Sequence, residues 1–374
     1  MPSTELRDRI IRSARNIVVK LGTNVLAADD GTLAPARINA IAEQIAALKQ
    51  QGHDVTVVTS GAIGAGVAQA RLPRRPRDLP GLQAAAAIGQ PVLMSLYNRA
   101  LSKHGLHAAQ ILLTRSDFED RHRYLNIRNT IAALHRLHAV PLINENDTVA
   151  VEEIRFGEND IIAAQVTNLL RADLMILLSV VDGLLDEKGE VVDLVPAVTD
   201  DILRMAHQRR SALGTGGMTT KLQAARLVTQ AGEAAMIANG RTRDILLRII
   251  RGEKVGTVFA PAAHKLSARQ RWIGMTVRPL GRIRVDDGAA AALRRGGKSL
   301  LASGITAVEG EFARGDVVDV LDAKDIRIAR GKTNYASDEL NRIKGLRTAH
   351  IAQVLGEKPF DEVIHRDNLV LLAS

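Results

Sequence analysis

Two copies of one tripeptide, Glu145-Asn146-Asp147 and Glu158-Asn159-Asp160, stand close together in a chain whose net charge is +9. A third segment, GTGGMTTK (214–221), places three glycines and a run of hydroxyls ahead of a lysine and an amphipathic stretch. Glycines let backbone N–H groups close on phosphate oxygens, and a helix start favours anions. Lys221 adds a full positive charge in the first turns of that helix. Lys20 precedes Gly22-Thr23, and Ser60-Gly61 gives a second glycine corner. Two lysines and several glycine amides facing one another suit phosphoryl transfer, a chemistry of positioning and charge neutralisation.

These residues fall at the ends of short apolar runs. The runs are Ile17–Leu21, Val55–Thr59, Ala109–Leu113, Val140–Ile143, Leu174–Leu178 and Ala234–Ala238. Between them, Ile38, Ile41, Ile45 and Leu48 mark one face of a helix, and Ile127, Ile131, Leu134 and Leu137 mark another. Buried strands alternating with amphipathic helices predict a mainly parallel sheet covered on both faces. Ligands of such sheets sit beyond the carboxyl ends of the strands. Lys20, Ser60, Asn144-Glu145-Asn146-Asp147, Ser179 and Asn239-Gly240 all follow a run in that way. The alternation in TVAVEEIRF (148–156) predicts a hairpin strand that returns the second Glu-Asn-Asp to the first.

After Pro261 the texture changes to short β-type runs between glycines, 281–288, 304–310 and 315–321, followed by Gly331 and Tyr335. This predicts a small β-rich barrel. The expected division is 1–260 for the first domain, 261–275 for a linker and 276–374 for the second.

Composition limits the function classes. The chain has 374 residues, 46% of them apolar, which suits two domains with full cores. With no cysteine it has no disulfide and no thiolate metal site, as in a reducing compartment. The charged N-terminus does not read as a signal peptide, and no apolar run approaches the roughly 20 residues of a membrane span. The expectation is a cytoplasmic protein. From Thr276 on there are 16 Lys+Arg against 14 Asp+Glu, so most of the excess charge lies in the first 275 residues. Five Phe, three Tyr and one Trp supply base stacking poorly, so nucleic acid is a weaker partner than an anionic nucleotide.

Common nucleotide fingerprints are absent. After Gly64 and Gly66 the dinucleotide pattern needs a third glycine where Gln69 stands. Gly297-Lys298-Ser299 and Gly331-Lys332-Thr333 lack the first glycine of a P-loop, which Ala292 and Ile326 replace, and read as turns. His135 and His138 have no carboxylate nearby in sequence and read as structural or surface histidines.

VVKLGTN (18–24), TSGAIGAG (59–66), QAAAAIGQPVLM (83–94), INENDTVAVEEIRFGEND (143–160) and GTGGMTTK (214–221), in that order, resemble the amino-acid kinase family in its glutamate 5-kinase branch. The stretch from about Thr276 resembles a PUA domain. The resemblance implies a three-layer α/β/α sandwich with a mainly parallel sheet, plus a small PUA barrel. It implies phosphorylation of the γ-carboxylate of L-glutamate by ATP with Mg2+, the first step of proline biosynthesis. Feedback inhibition by L-proline and homo-oligomerisation are implied with it.

Matched motif by motif, Lys20, Asp160 and Lys221 correspond to the catalytic set. Ser60, Asp147 and Asn159 correspond to glutamate-binding positions. Lys20, Ser179, Val180, Thr215, Gly216, Gly217, Met218, Thr219, Thr220 and Lys221 correspond to ATP-binding positions; no position corresponds to a protein-held metal. The family pairs Ser/Thr with Asp where this chain has Ser179-Val180, and a valine side chain accepts no hydrogen bond. On this reading Asp147 faces the substrate ammonium, Asn159 and Ser60 bond its oxygens, and Asp160 holds two lysine heads. The alternatives are an acetylglutamate or nucleoside-monophosphate kinase of the same family, or RNA binding through the second domain.

Overall fold

The computed structural model describes residues 3–28, 32–150, 158–204, 217–263 and 265–371. The chain forms two compact units, Met1–Lys265 and Leu266–Ser374.

The first unit is built on a sheet of eight strands: β1 (Asn16–Leu21), β2 (Asp54–Val58), β3 (His107–Leu113), β4 (Ala139–Glu145), β5 (Leu174–Ser179), β6 (Leu194–Val195), β7 (Ala234–Asn239) and β8 (Thr257–Phe259). Their order is β3-β4-β2-β1-β5-β7-β8-β6. Pairing is parallel from β3 to β7; β8 lies antiparallel to β7 and parallel to β6. All six apolar runs form strands. β1, β4 and β5 are buried along nearly their whole length, as strands covered on both faces must be. β6 and β8, two and three residues long, carry too little pattern to be read from sequence.

Helix Pro35–Gln50 buries Ile38, Ile41, Ile45 and Leu48, as their spacing predicts. Helix Arg121–Arg136 buries Ile127 and Ile131, and Tyr124 besides; Leu134 is half-buried and Leu137, past the helix end, is 68% exposed. His135 sits in that last turn with Nε2 3.1 Å from Thr56 Oγ1 and Nδ1 3.6 Å from Asp54 Oδ1, a structural tie to β2. His138 is exposed in the turn into β4.

The expected hairpin after β4 is not formed in the described residues. Thr148 and Val149 lie in a turn, where Val149 and Ala150 both donate their N–H to Asn146 O. A backbone folded into a turn here cannot pair in a sheet at the same residues. The rest of that stretch lies outside the described residues. The second Glu-Asn-Asp instead opens the helix Glu158–Leu170, which crosses from β4 to β5 and packs against β4, β2, β1 and β5. The chain changes side of β1 at this crossover, and open sheets bind ligands at such a reversal.

Two further helices, Ala62–Gln69 and Leu79–Ser102, cross with their backbones in contact. A Cβ on Gly66 would lie 1.7 Å from Ala85 O, and one on Gly89 would lie 1.8 Å from Ala62 O. Neither backbone can give way without moving its helix. Gly89→Ala is therefore expected to cost about 3 kcal/mol, the upper range for overpacking. Urea unfolding of the variant measures it; an unchanged midpoint would mean that the helices separate freely.

The second unit has a five-stranded sheet of β9 (Gly281–Val285), β10 (Ile305–Glu309), β11 (Val317–Leu321), β12 (Arg327–Lys332) and β13 (Leu369–Leu371), in the order β10-β9-β11-β12-β13. The three β-type runs become β9, β10 and β11. Ile283, Val318, Val320, Tyr335, Leu340 and Ile364 belong to its separate core. Gly331-Lys332 ends β12 and Gly297 lies in a bend, so neither heads a phosphate loop. Ser267 caps a short helix, Ala268–Arg271, within the stretch read as a linker.

Candidate active site

Lys20 is the penultimate residue of β1 and is buried, though its chemistry is that of a surface residue. What allows this is Asp160 in the first turn of helix Glu158–Leu170: Lys20 Nζ lies 2.6 Å from Asp160 Oδ1. On the other oxygen, Lys221 Nζ lies 3.2 Å from Oδ2, and Thr220 Oγ1 donates to the same atom at 3.1 Å. Lys221 Nζ also donates to Gly217 O at 3.1 Å, one turn back along helix Gly217–Ala231. The carboxylate is fully enclosed and binds two ammonium groups, one from each side.

The electrostatics follow from that enclosure. Burial pushes the Asp160 pKa upward, but the charges of Lys20 and Lys221 outweigh it and hold the group below the usual carboxylate range. Burial lowers the pKa of Lys20; Asp160 raises it in opposition, and Lys221 lowers it further. Asp160 is an ionised brace between the two cations. A negative group is also favoured at a helix start.

One residue before Asp160, Asn159 belongs to a second cluster. Its Nδ2 donates to Ser60 Oγ at 2.9 Å and approaches Asn144 Oδ1 at 3.4 Å. Ser60 is placed by β2, and the chain turns into helix Ala62–Gln69 through Gly61, whose φ of 108° is a conformation that disfavours any side chain. Asn144 is placed by β4 and donates Nδ2 to Gln90 Oε1 at 2.9 Å. Asp147 is half-buried in the turn after β4.

The structure thus brings together Lys20, Asp160, Thr220 and Lys221, and, beside them in sequence, Asn159 with Ser60. Gly217, Met218 and Thr219 lie in the first turn of the lysine's helix. Thr215 and Gly216 lie outside the described residues. Ser179 ends β5 and accepts the Gly240 N–H at 2.7 Å; Val180 is 41% exposed. Asn144 was placed at a strand end by its sequence context but given no role, and Gln90 was not singled out. Their signal is slight, a polar side chain at a strand end and another inside an apolar helix.

Comparison with known proteins gives the family. The model of the amino acid kinase family matches residues 15–239, and that of the PUA domain matches residues 281–355. A glutamate 5-kinase of Caldanaerobacter subterraneus subsp. tengcongensis is 46% identical over 95% of this chain and 97% of its own. One from Geobacter sp. (strain M21) is 45% identical over 98% of this chain and all of its own, and one from Moorella thermoacetica is 44% identical over 99% and 100%. With the family model matched over residues 15–239 and these relatives matched over nearly their full length, the chain belongs to the amino acid kinase family, in its glutamate 5-kinase branch.

Proposed function

We propose that this chain moves the γ-phosphoryl group of ATP to the γ-carboxylate of L-glutamate, giving L-glutamyl 5-phosphate and ADP at the entry to proline biosynthesis. The observation that carries the reading is Asp160 braced between Lys20 and Lys221, one residue from the Asn159–Ser60 pair. An oxygen of the substrate carboxylate attacks the γ-phosphorus, and the bond from that phosphorus to the β–γ bridging oxygen breaks. The electron pair leaves with ADP. No general base is required, because a carboxylate with a pKa near about 4.3 is already ionised at neutral pH. Lys20 and Lys221 neutralise charge on the transferring group, and Asp160 keeps their heads apart and aimed.

The ATP side comprises Lys20, Ser179, Val180 and the 215–221 segment. Its phosphates meet the start of helix Gly217–Ala231. Among the described residues no cluster of three His, Asp or Glu side chains could hold a metal, and each oxygen of Asp160 already faces a lysine. This donor set fits Mg2+ that arrives on the nucleotide phosphates and keeps its waters. The ion neutralises phosphate charge when bound.

Ser60, Asp147 and Asn159 form the amino-acid side, with Asp147 for the ammonium. That requirement separates glutamate from N-acetylglutamate, which has no ammonium. A coupled assay for ADP with glutamate, N-acetylglutamate or aspartate tests the reading: turnover is expected with glutamate, and preferential turnover of the acetylated compound would overturn it.

L-Proline shares with glutamate the α-carboxylate and a charged α-nitrogen but offers no γ-carboxylate. It inhibits by occupying the same pocket. Hydrogen bonds to a charged group contribute about 1.5–3 kcal/mol. Asp147→Asn is therefore expected to raise the glutamate KM and the proline inhibition constant together, by about tenfold or more. A rise in the glutamate constant alone would place proline elsewhere. The family resemblance, rather than any feature of the site, is what supports a homo-oligomer in the cytoplasm.

A further inference from the structure

We propose that Gln90 is a positioning residue for the amino-acid pocket, acting through Asn144 on Asn159; the inference rests on the assignment of Ser60 and Asn159 to glutamate.

The side chains form one directed chain. Asn159 Nδ2 donates to Ser60 Oγ at 2.9 Å and toward Asn144 Oδ1 at 3.4 Å, and Asn144 Nδ2 donates to Gln90 Oε1 at 2.9 Å. Each amide presents its donor to the next acceptor, so turning Asn144 alone would set oxygen against oxygen and nitrogen against nitrogen. Gln90 fixes which way Asn144 points, and Asn144 fixes Asn159. The far end of the chain is Asn159 Oδ1, which is buried and has no partner among the described residues. A buried acceptor left open beside Ser60 is matched to a ligand donor, and the ammonium assigned to Asp147 has a further N–H for it, so Asn159 serves that group rather than a substrate oxygen. At the near end Gln90, only 8% exposed, is held in the helix Leu79–Ser102.

The backbone explains why Gln90 can do this. Its neighbour Gly89 is the residue whose missing Cβ lets the helix touch Ala62 O and Gly66 N. Helix Ala62–Gln69 begins directly after Ser60-Gly61, so the crossing locks the depth of Gln90 to the same element that carries Ser60. On the other side Pro91 removes a helix N–H and fixes φ at that turn. Gln90 thus has its backbone fixed on a rigid crossing; its Oε1 meets Asn144, while its Nε2 is buried with no partner among the described residues.

The test uses the full chain. Gln90→Met removes the acceptor at similar volume and is expected to raise the glutamate KM about tenfold, the effect of a hydrogen bond lost from a buried network. The KM for ATP is expected to stay within about twofold, since the lysine cluster has no bond to Gln90. Gln90→Glu keeps an oxygen facing Asn144 and is expected to recover most of the glutamate affinity. In an Asn144→Ala background Gln90→Met is expected to add nothing, because the two act in series. If Gln90→Met does not fold, Gln90→Asn, which withdraws the amide by one carbon, is expected to give the same selective rise. Equal rises in both KM values, full additivity with Asn144→Ala, or unchanged kinetics would each overturn the proposal. A wild-type chain without glutamate-dependent ADP release would instead overturn the assignment on which it rests.

Discussion

Replacing Lys221 by alanine is expected to lower kcat by about 10²–10³-fold, the effect of losing one donor that stabilises developing charge. The glutamate KM is expected to change little. Lys221 lies at the start of helix Gly217–Ala231 and reaches Asp160, whereas the amide cluster belongs to Ser60, Asn144 and Asn159. Steady-state kinetics on the folded variant checks this. Unchanged turnover would remove Lys221 from the transferring group, and a loss confined to the glutamate KM would move it to the amino-acid side.

Asp160→Ala is expected to damage stability as well as activity. It leaves the ammonium groups of Lys20 and Lys221 buried near each other with no counter-charge. Removing one partner of a buried ion pair costs about 3–5 kcal/mol. Urea unfolding at neutral pH measures the loss, and adding Lys20→Met is expected to recover part of it by removing one stranded charge. A midpoint equal to wild type would show that the lysines are solvated. The pH dependence has a definite sign. The folded carboxylate titrates below its unfolded value, so the stability it contributes is complete above the unfolded pKa, near about 3.9, and is lost as the pH falls through the folded value.

The parts of the fold legible in the sequence were those whose burial is two-sided. β1 and β5 are mostly apolar runs, broken in β1 by Lys20, because helices cover both faces of the sheet, and their short length between turn signals favours strands. The alternation after β4 is the converse case: Thr148 and Val149 lie in a turn, and the rest of that stretch falls outside the described residues. Period two in a short polar stretch costs nothing in a turn, and Val149 is exposed there. Leu137 continued a helical period by one step beyond the helix itself. In the site, the lysines and the Glu-Asn-Asp repeat were readable because charge at a strand end or helix start needs an explanation. Gln90 was not, since it lies between Gly89 and Pro91 in a largely apolar helix and its meaning depends on Asn144, a residue far away in sequence. Thr220 was readable as part of the 214–221 segment, but its bond to Asp160 was not, because only the packing of two helices brings them together.

Asn159 and Asp160 are neighbours on one helix, and each serves a different partner. Successive side chains on a helix point about 100° apart with a rise of 1.5 Å. The amide cluster proposed for the amino acid and the cation pair therefore take their separation from a single peptide unit. On the proposed assignment the two reactants need no independently adjusted supports, because one planar peptide unit sets the gap between the groups that hold them. A substitution in the amide pocket can change which acceptor is held without altering where the phosphoryl group is met, whereas inserting one residue between these two would turn one cluster away from the other.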